Sequence, residues 1–339
     1  MDDVMEKNSL SSSFGKTSSF KAKEVLDSNI VLEAVRVTEA AAISAYHLIG
    51  KGDEMAADQV AVDAMRKALG KMNIEGTVVI GEGERDKAPM LYVGEKVGTG
   101  HGPKIDIALD PLEGTTICAT AGANSLSVIA MTEEGGLLNA PDVYMEKIAI
   151  GCQFNEQIID LDNTPKQNLL NLARIKNCQI EDLLVVILKR DRHMDLIAKV
   201  REAGARIRLI NDGDVAAVIE TALDNNKGDM YIGIGGAPEG VLAAAALSTT
   251  GGQMMGRLLF ETQEQKDRAR LLGISDFNRK YLVQDMAKGD DVMFAATGVT
   301  DGSMLHGVKI KGSRIHTNSV AMSSKYKTIR YVKTLHSIG

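Results

Sequence analysis

The stretch Asp106-Ile107-Ala108-Leu109-Asp110-Pro111-Leu112-Glu113-Gly114-Thr115-Thr116 constrains this chain more than any other. Residues 104–109 alternate and end apolar, the pattern of a buried strand. Pro111 has no N–H to give to a ladder, so the spacing predicts that the strand stops there. Gly114 predicts a sharp turn. Two carboxylates, Asp110 and Glu113, are thereby expected at the carboxyl end of a strand, beside the hydroxyls of Thr115 and Thr116. Ligands of α/β sheets sit beyond strand ends of this kind. The plainer alternative is a solvated acidic turn.

A second acidic strand end lies upstream and weighs against that alternative. Thr77-Val78-Val79-Ile80 runs straight into Gly81-Glu82-Gly83-Glu84-Arg85-Asp86. Glycines on both sides of Glu82 let the backbone bend and bring a carboxylate close to a ligand. Neither this stretch nor Gly233–Gly240 is a dinucleotide fingerprint. No G-x-G-x-x-G follows the first strand, no Walker lysine is present, and Pro238 occupies the place of a third glycine. Asp58 is expected in the first turn of a helix over 56–71, where a negative charge suits the helix dipole.

Asp58, Glu82, Asp110 and Glu113 are four carboxylates within about sixty residues. Sharing one pocket, they cannot all ionise without cations, because like charges push each other's pKa up. An oxygen-only ligand set selects Mg²⁺ or Mn²⁺ over zinc. The six histidines show no H-x-x-x-H or H-E-x-x-H spacing. Clustered divalent ions serve phosphoryl transfer to water, a reaction that phosphate monoesters undergo extremely slowly unaided.

Composition limits the alternatives. A chain of 339 residues suggests two packed α/β units. The net charge of -6 provides no basic footprint, and 4% aromatic residues with no Trp provide no stacking platform, so no nucleic-acid partner is expected. No stretch has the ~20 apolar residues that a bilayer crossing needs. Cys118, Cys152 and Cys178 are widely spaced, form no C-x-x-C pair and read as core cysteines of a cytoplasmic protein. Met1 to Lys21 is Ser-rich without an apolar h-region, which is not a secretory signal. Helices are expected near 30–48, 56–71, 194–202, 215–223 and 240–247, and further strands near 184–188, 205–210, 230–234, 253–259 and 292–296. This alternation predicts a second α/β unit, with substrate bound where the two units meet. The stretch 298–313 carries no recognisable chemistry.

Gly81–Asp86 followed by Asp110–Thr116 resembles the lithium-sensitive, metal-dependent sugar-phosphatase superfamily, which includes inositol monophosphatases. Further stretches narrow the likeness: Val35–Ala42, Ala57-Asp58-Gln59, Ala88–Glu95, Asn139–Met145, Asn211–Val215 and Gly233–Gly240. Together these resemble the class II fructose-1,6-bisphosphatases of bacteria, from about residue 28 to the C-terminus. The resemblance implies an α/β layered sandwich of the sugar-phosphatase fold, two stacked α/β units with the active site between them. It implies a disordered tail over 1–27, a metal-binding phosphatase domain over 28–156 and a sugar-phosphate-binding domain over 157–336.

Residue by residue, the resemblance implies that Asp58, Glu82, Asp110, Glu113 and Glu239 hold two or more Mg²⁺ or Mn²⁺ ions, helped by the carbonyl of Leu112. Asp86 matches a further acid near the metals. Thr115 matches the hydroxyl that orients the attacking water, and could also cap the following helix, whose start presents N–H groups to phosphate. Gly114 and Gly236 match backbone contacts to substrate, and Tyr144 a hydrogen bond to phosphate or sugar. Arg190 and Arg192 match the basic residues for the second phosphate, and Asp212 and Asp214 the acids that hold sugar hydroxyls. Two departures stand out. Glu54 lies where many members carry lysine, and Arg190 where lysine is common. The implied activity is hydrolysis of fructose 1,6-bisphosphate to fructose 6-phosphate in gluconeogenesis, by a cytoplasmic homodimer or homotetramer. The alternatives are a dual enzyme that also takes sedoheptulose 1,7-bisphosphate, an inositol or nucleotide monophosphatase, or a catalytically silent sugar-phosphate-binding regulator.

Overall fold

The computed structural model describes residues 28–83, 90–151, 156–223 and 227–337. The expected tail over 1–27, together with Asp86 and Cys152, lies outside the described residues. Two helices come first, α1 (Ser28–Tyr46) and α2 (Glu54–Leu69). Next are β1 (Glu75–Ile80), β2 (Lys96–Val97), β3 (Lys104–Glu113), the short helix α3 (Thr115–Ala119) and β4 (Leu126–Glu133). Strands and helices then alternate: β5 (Tyr144–Ile150), α4 (Pro165–Lys176), β6 (Leu184–Leu188), α5 (Met194–Glu202), β7 (Arg206–Ile210) and α6 (Asp214–Glu220). The pattern continues with β8 (Met230–Gly236), α7 (Ala237–Thr250), β9 (Gln253–Leu259), α8 (Gln263–Leu271), β10 (Lys280–Leu282) and α9 (Val283–Met286). The last strands are β11 (Met293–Gly298), β12 (Lys309–Lys311), β13 (Arg314–Ser323) and β14 (Thr328–Ser337).

These strands form two sheets. One has eight strands in the order β12-β13-β11-β4-β3-β1-β2, with β14 also paired to β13. The other has six, in the order β10-β9-β5-β8-β6-β7. Hydrophobic contacts stack them in layers. Helices α1 and α2 cover the outer face of the first sheet, through a stripe in α1 of Val31, Ala34, Val35, Ala41, Ala42 and Ala45 at helical spacing. Asp53 starts α2 by accepting the Ala56 N–H at 2.9 Å. Helices α4 and α5 cover the outer face of the second sheet through Leu169, Leu172, Ile197 and Val200. Between the sheets lies α7, which touches β3, β4 and β11 on one side and β5, β8 and β9 on the other. The result is the expected α/β layered sandwich.

The sheets divide the chain differently from the expected break at 156/157. Strand β5 already belongs to the second sheet, and β11–β14 return to the first. Helix α7 packs against both sheets, so its composition matters. Residues Val241 to Leu247 are buried all round, and four successive alanines, 243–246, let both sheets approach closely.

The structure also corrects the reading of the key strand. β3 does not stop at Pro111 but runs on to Glu113 through a bulge. Asp110 lies opposite Val128 and Glu113 opposite Leu126, so three steps along β3 match two along β4. Pro111 sits inside that irregularity, where its missing N–H breaks no ladder bond. In a regular strand, residues three apart face opposite sides. The extra residue turns Asp110 and Glu113 toward the same cavity.

The packing of α7 makes a stability prediction. Ala244→Leu should overfill the layer between the sheets and cost about 1–3 kcal/mol or more. Leu170→Ala, at a half-exposed position of α4, should change stability by less than about 0.5 kcal/mol. Urea unfolding of the two variants against the parent checks both.

Candidate active site

One cavity of about 760 Å³ opens where the two sheets meet, at the ends of β1, β3 and β8 and the starts of α3, α6 and α7. Every site residue expected from the sequence lines it, apart from Asp86. The first sheet and its helix supply Asp58, Glu82, Asp110, Leu112, Glu113, Gly114 and Thr115. The second sheet supplies Tyr144, Arg190, Arg192, Asp212, Asp214, Gly236 and Glu239. Residues separated by up to 181 positions, Asp58 to Glu239, thus share one space.

The acids lie close enough to shift one another's pKa. Asp58, the fifth residue of α2 rather than a first-turn acid, shares a hydrogen bond with Glu82 just beyond β1. Burial, the Asp58 charge and that bond push the Glu82 carboxyl up to about 8. Burial raises Asp110 well above the ordinary range, and the charges of Glu82, Glu239 and Asp58 add to the shift. The Leu112 N–H, donating to Asp110 Oδ1 at 3.0 Å, opposes it. Glu113 is raised by burial and then by Asp214 and Asp110. It accepts the Val215 N–H at the start of α6 at 3.1 Å, while its other oxygen, Oε2, is buried without a hydrogen-bond partner. Glu239 Oε2 is orphaned in the same way, and the Glu239 carboxyl is raised by burial and by Asp214.

Hard divalent cations fit this arrangement. Unpartnered carboxylate oxygens and mutually repelling acids are what such ions neutralise. Among the described residues, however, no group of three His, Cys, Asp or Glu side chains already closes around a common point. The acids share a cavity without forming a finished cage.

Thr115 is the first residue of α3, and the cap is Gly114, not Thr115. Gly114 has φ 75°, the left-handed region, and a Cβ there would lie 2.9 Å from Ile117 Cδ1. Only glycine places Thr115 at the cavity directly after the bulge. At Gly236 the requirement is space, since a Cβ would come within 1.9 Å of Glu239 Oε2.

On the other side of the cavity, Arg192 donates to the Ile234 carbonyl from Nη2 at 2.8 Å and from Nε at 3.2 Å. Its guanidinium lies 4.7 Å from the Tyr144 ring centroid. Tyr144 is 44% exposed. Arg190 donates to the Asn211 carbonyl and stands 3.7 Å from Asp212. The Asp212 carboxyl is raised chiefly by burial, with the Glu54 charge a small addition, so Glu54 adds negative charge near this edge of the site.

Asp214, expected as an acid for sugar hydroxyls, already has partners within the protein. Lys147 Nζ reaches its Oδ2 at 2.5 Å and the Gly236 carbonyl at 3.0 Å, and the Tyr231 hydroxyl donates to the same Oδ2 at 3.2 Å. Lys147, 1% exposed in the middle of β5, is a buried charge next to the site that sequence reasoning did not single out. A lysine inside the apolar run Lys147-Ile148-Ala149-Ile150 was the available signal.

A cavity that gathers acids from both sheets and arginines from the second is a site for a small, highly anionic molecule, held with the help of cations. The chain belongs to the bacterial, glpX-encoded fructose-1,6-bisphosphatases, whose family model matches residues 28–336. Among curated relatives, the class 2 fructose-1,6-bisphosphatase/sedoheptulose 1,7-bisphosphatase of Synechococcus sp. (strain JA-3-3Ab) is 41% identical over 335 residues, covering 92% of this chain and 96% of its own. The protein of the same description from Trichodesmium erythraeum is 40% identical over 338 residues, covering 93% and 98%. Among solved structures, an inositol monophosphatase from Zymomonas mobilis has 16% identity and a TM-score of 0.33, covering 65% of this chain and 96% of its own. That last likeness is too slight to bear on function.

The raised acids set the pH dependence of stability without cations. Glu82 titrates at about 8 in the fold against 4.5 ordinarily, so the folded state binds this proton more tightly. Its contribution is full below the ordinary value and is lost as pH rises through about 8. The EDTA-treated protein should therefore lose stability between about pH 5 and 8, on the order of a few kcal/mol, and Glu82→Gln should flatten that slope. Thermal unfolding against pH in EDTA measures it.

Proposed function

We propose that this chain hydrolyses fructose 1,6-bisphosphate, releasing the 1-phosphate and leaving fructose 6-phosphate, the step used in gluconeogenesis. One observation carries the reading: the five carboxylates share a single cavity with Arg190 and Arg192. Asp58, Glu82, Asp110, Glu113 and Glu239, with the carbonyl of Leu112, are the groups that would hold two or more divalent ions, Mg²⁺ or Mn²⁺. Cations bound there supply positive charge for the leaving oxygen and lower the pKa of water.

The chain's own residues do the rest. The Thr115 hydroxyl, fixed by Gly114 and the bulge, orients water for attack on phosphorus in line with the leaving sugar oxygen. Gly114 and Gly236 let the backbone approach the substrate closely. Arg190 and Arg192 take the second phosphate with their planar forks, and Tyr144 flanks it. Asp212, paired with Arg190 at 3.7 Å, accepts hydrogen bonds from sugar hydroxyls with its remaining lone pairs. Asp214 does so only with the lone pairs that Lys147 and Tyr231 leave, and its larger role is to anchor Lys147 beside Gly236.

A second reading, dual action on sedoheptulose 1,7-bisphosphate, is favoured by the names of the cyanobacterial relatives. The arginine pair disfavours an inositol or nucleotide monophosphatase, which has no second phosphate to bind. A homodimer or homotetramer in the cytoplasm completes the proposal. Among the described residues no helix is long and apolar enough to cross a membrane.

Phosphate release from fructose 1,6-bisphosphate, assayed with Mn²⁺ and with Mg²⁺, tests the reading. Turnover is expected with a divalent ion and none in EDTA, and Asp110→Ala and Thr115→Ala should each lose about a hundredfold or more in kcat. A protein that binds the sugar bisphosphate yet releases no phosphate under any divalent ion would instead be the silent regulator.

A further inference from the structure

Strand β6 runs parallel to β8, but their pairing ends after two steps, Val185 to Met230 and Val186 to Tyr231. Beyond that point the strands part, and the cavity opens between their carboxyl ends. The parting leaves the N–H and C=O of Ile234, on the β6 side of β8, without a strand to pair with. Two side chains from the 3₁₀ turn Asp191–His193 take that place. The Arg192 guanidinium donates to the Ile234 carbonyl, and His193 Nε2 accepts the Ile234 N–H at 2.8 Å. The other ring nitrogen, Nδ1, lies 2.7 Å from the carbonyl of Leu188, the last residue of β6. An amide must donate and a carbonyl must accept, so both bonds are satisfied only by the neutral ring with its proton on Nδ1.

Other features fit this role. His193 is 1% exposed. Its ring lies against Gly233, where a Cβ would stand 3.2 Å from Cε1 and 3.3 Å from Nε2, which gives this glycine of the Gly233–Gly240 stretch a purpose. Burial holds the imidazole below its ordinary pKa, aided by the charges of Arg192 and Arg190 and opposed first by the hydrogen bond to the Leu188 carbonyl and then by Asp214.

We propose that His193 is a positioning residue for the second phosphate: as the Nδ1–H tautomer it ties the end of β6 to β8 and so fixes where Arg192 meets the substrate. Arg192 is then held on one edge by Ile234 and on one face by Tyr144, and its remaining edge is presented to the phosphate. The proposal rests on the reading that Arg190 and Arg192 bind that group. It predicts that loss of His193 harms only substrates that carry a second phosphate.

His193→Asn keeps a donor for Leu188 but cannot reach Ile234, whereas His193→Ala loses both bonds. For fructose 1,6-bisphosphate, KM should rise about tenfold in His193→Asn, with kcat within about twofold of the parent. For p-nitrophenyl phosphate, which has no second phosphate, kcat/KM should stay within about twofold. An unchanged KM for the bisphosphate, or an equal loss on both substrates, overturns the proposal. If the parent enzyme itself does not turn over the bisphosphate, the functional reading fails instead, which keeps the two outcomes apart. A two-bond ¹⁵N–¹H spectrum of the ¹⁵N-histidine-labelled parent needs no variant. It should show His193 with a protonated Nδ1 and an unprotonated Nε2, and the reverse pattern would equally overturn the proposal.

Discussion

Crowded carboxylates repel one another, and the fold places Asp58, Glu82, Asp110, Glu113 and Glu239 around one cavity in spite of that, with Asp212 and Asp214 beside them. Desolvation raises each of the five, and at Asp110 the charges of Glu82, Glu239 and Asp58 all add to the shift. Lys147 offsets part of this charge, but its ammonium is committed to Asp214 and the Gly236 carbonyl. The remaining negative charge is what makes the site a receptor for divalent cations and, through them, for phosphate. An acid cluster of this kind weakens the bare fold in order to bind.

The scaffold tolerates that repulsion because it is rigid where the acids are attached. Five acids sit at a strand end or on a helix packed against a sheet, and a layer of alanines in α7 locks the two sheets together. The bulge in β3 is the decisive local device. Without its extra residue, Asp110 and Glu113 would face opposite sides of the sheet, and the cavity would lose one of them. The second sheet contributes differently, since it lets β6 and β8 part and fills the opening with Arg192 and His193. One side of the cavity is thus made by an added residue in a strand, and the other by the end of a strand pairing.

Much of this was legible in the sequence because it is local. An apolar run that ends in Gly-Glu-Gly or Asp-Pro-Leu-Glu-Gly announces acids at strand ends, and the helical spacing of α1 and α5 is plain. Strands β6 and β9 fall where the apolar runs place them. What could not be read depends on residues distant in the chain. The continuation of β3 through Pro111 is set by its register with β4, which no short window contains. The return of β11–β14 to the first sheet is a matter of long-range pairing, and this is why a single break near 156 does not describe the sheets. Lys147 looks like a misplaced charge until Asp214, 67 residues later, is folded against it. Of the expected site residues, Asp86 alone lies outside the described structure.

The central claim is that acids from α2, β1, β3 and α7 converge to hold divalent ions. Anomalous diffraction from crystals grown with Mn²⁺ measures this most directly. Two or more manganese peaks should appear within coordination distance of carboxylate oxygens of Asp58, Glu82, Asp110, Glu113 and Glu239. Manganese bound elsewhere, with those five side chains still turned away from any common ion, would contradict the account.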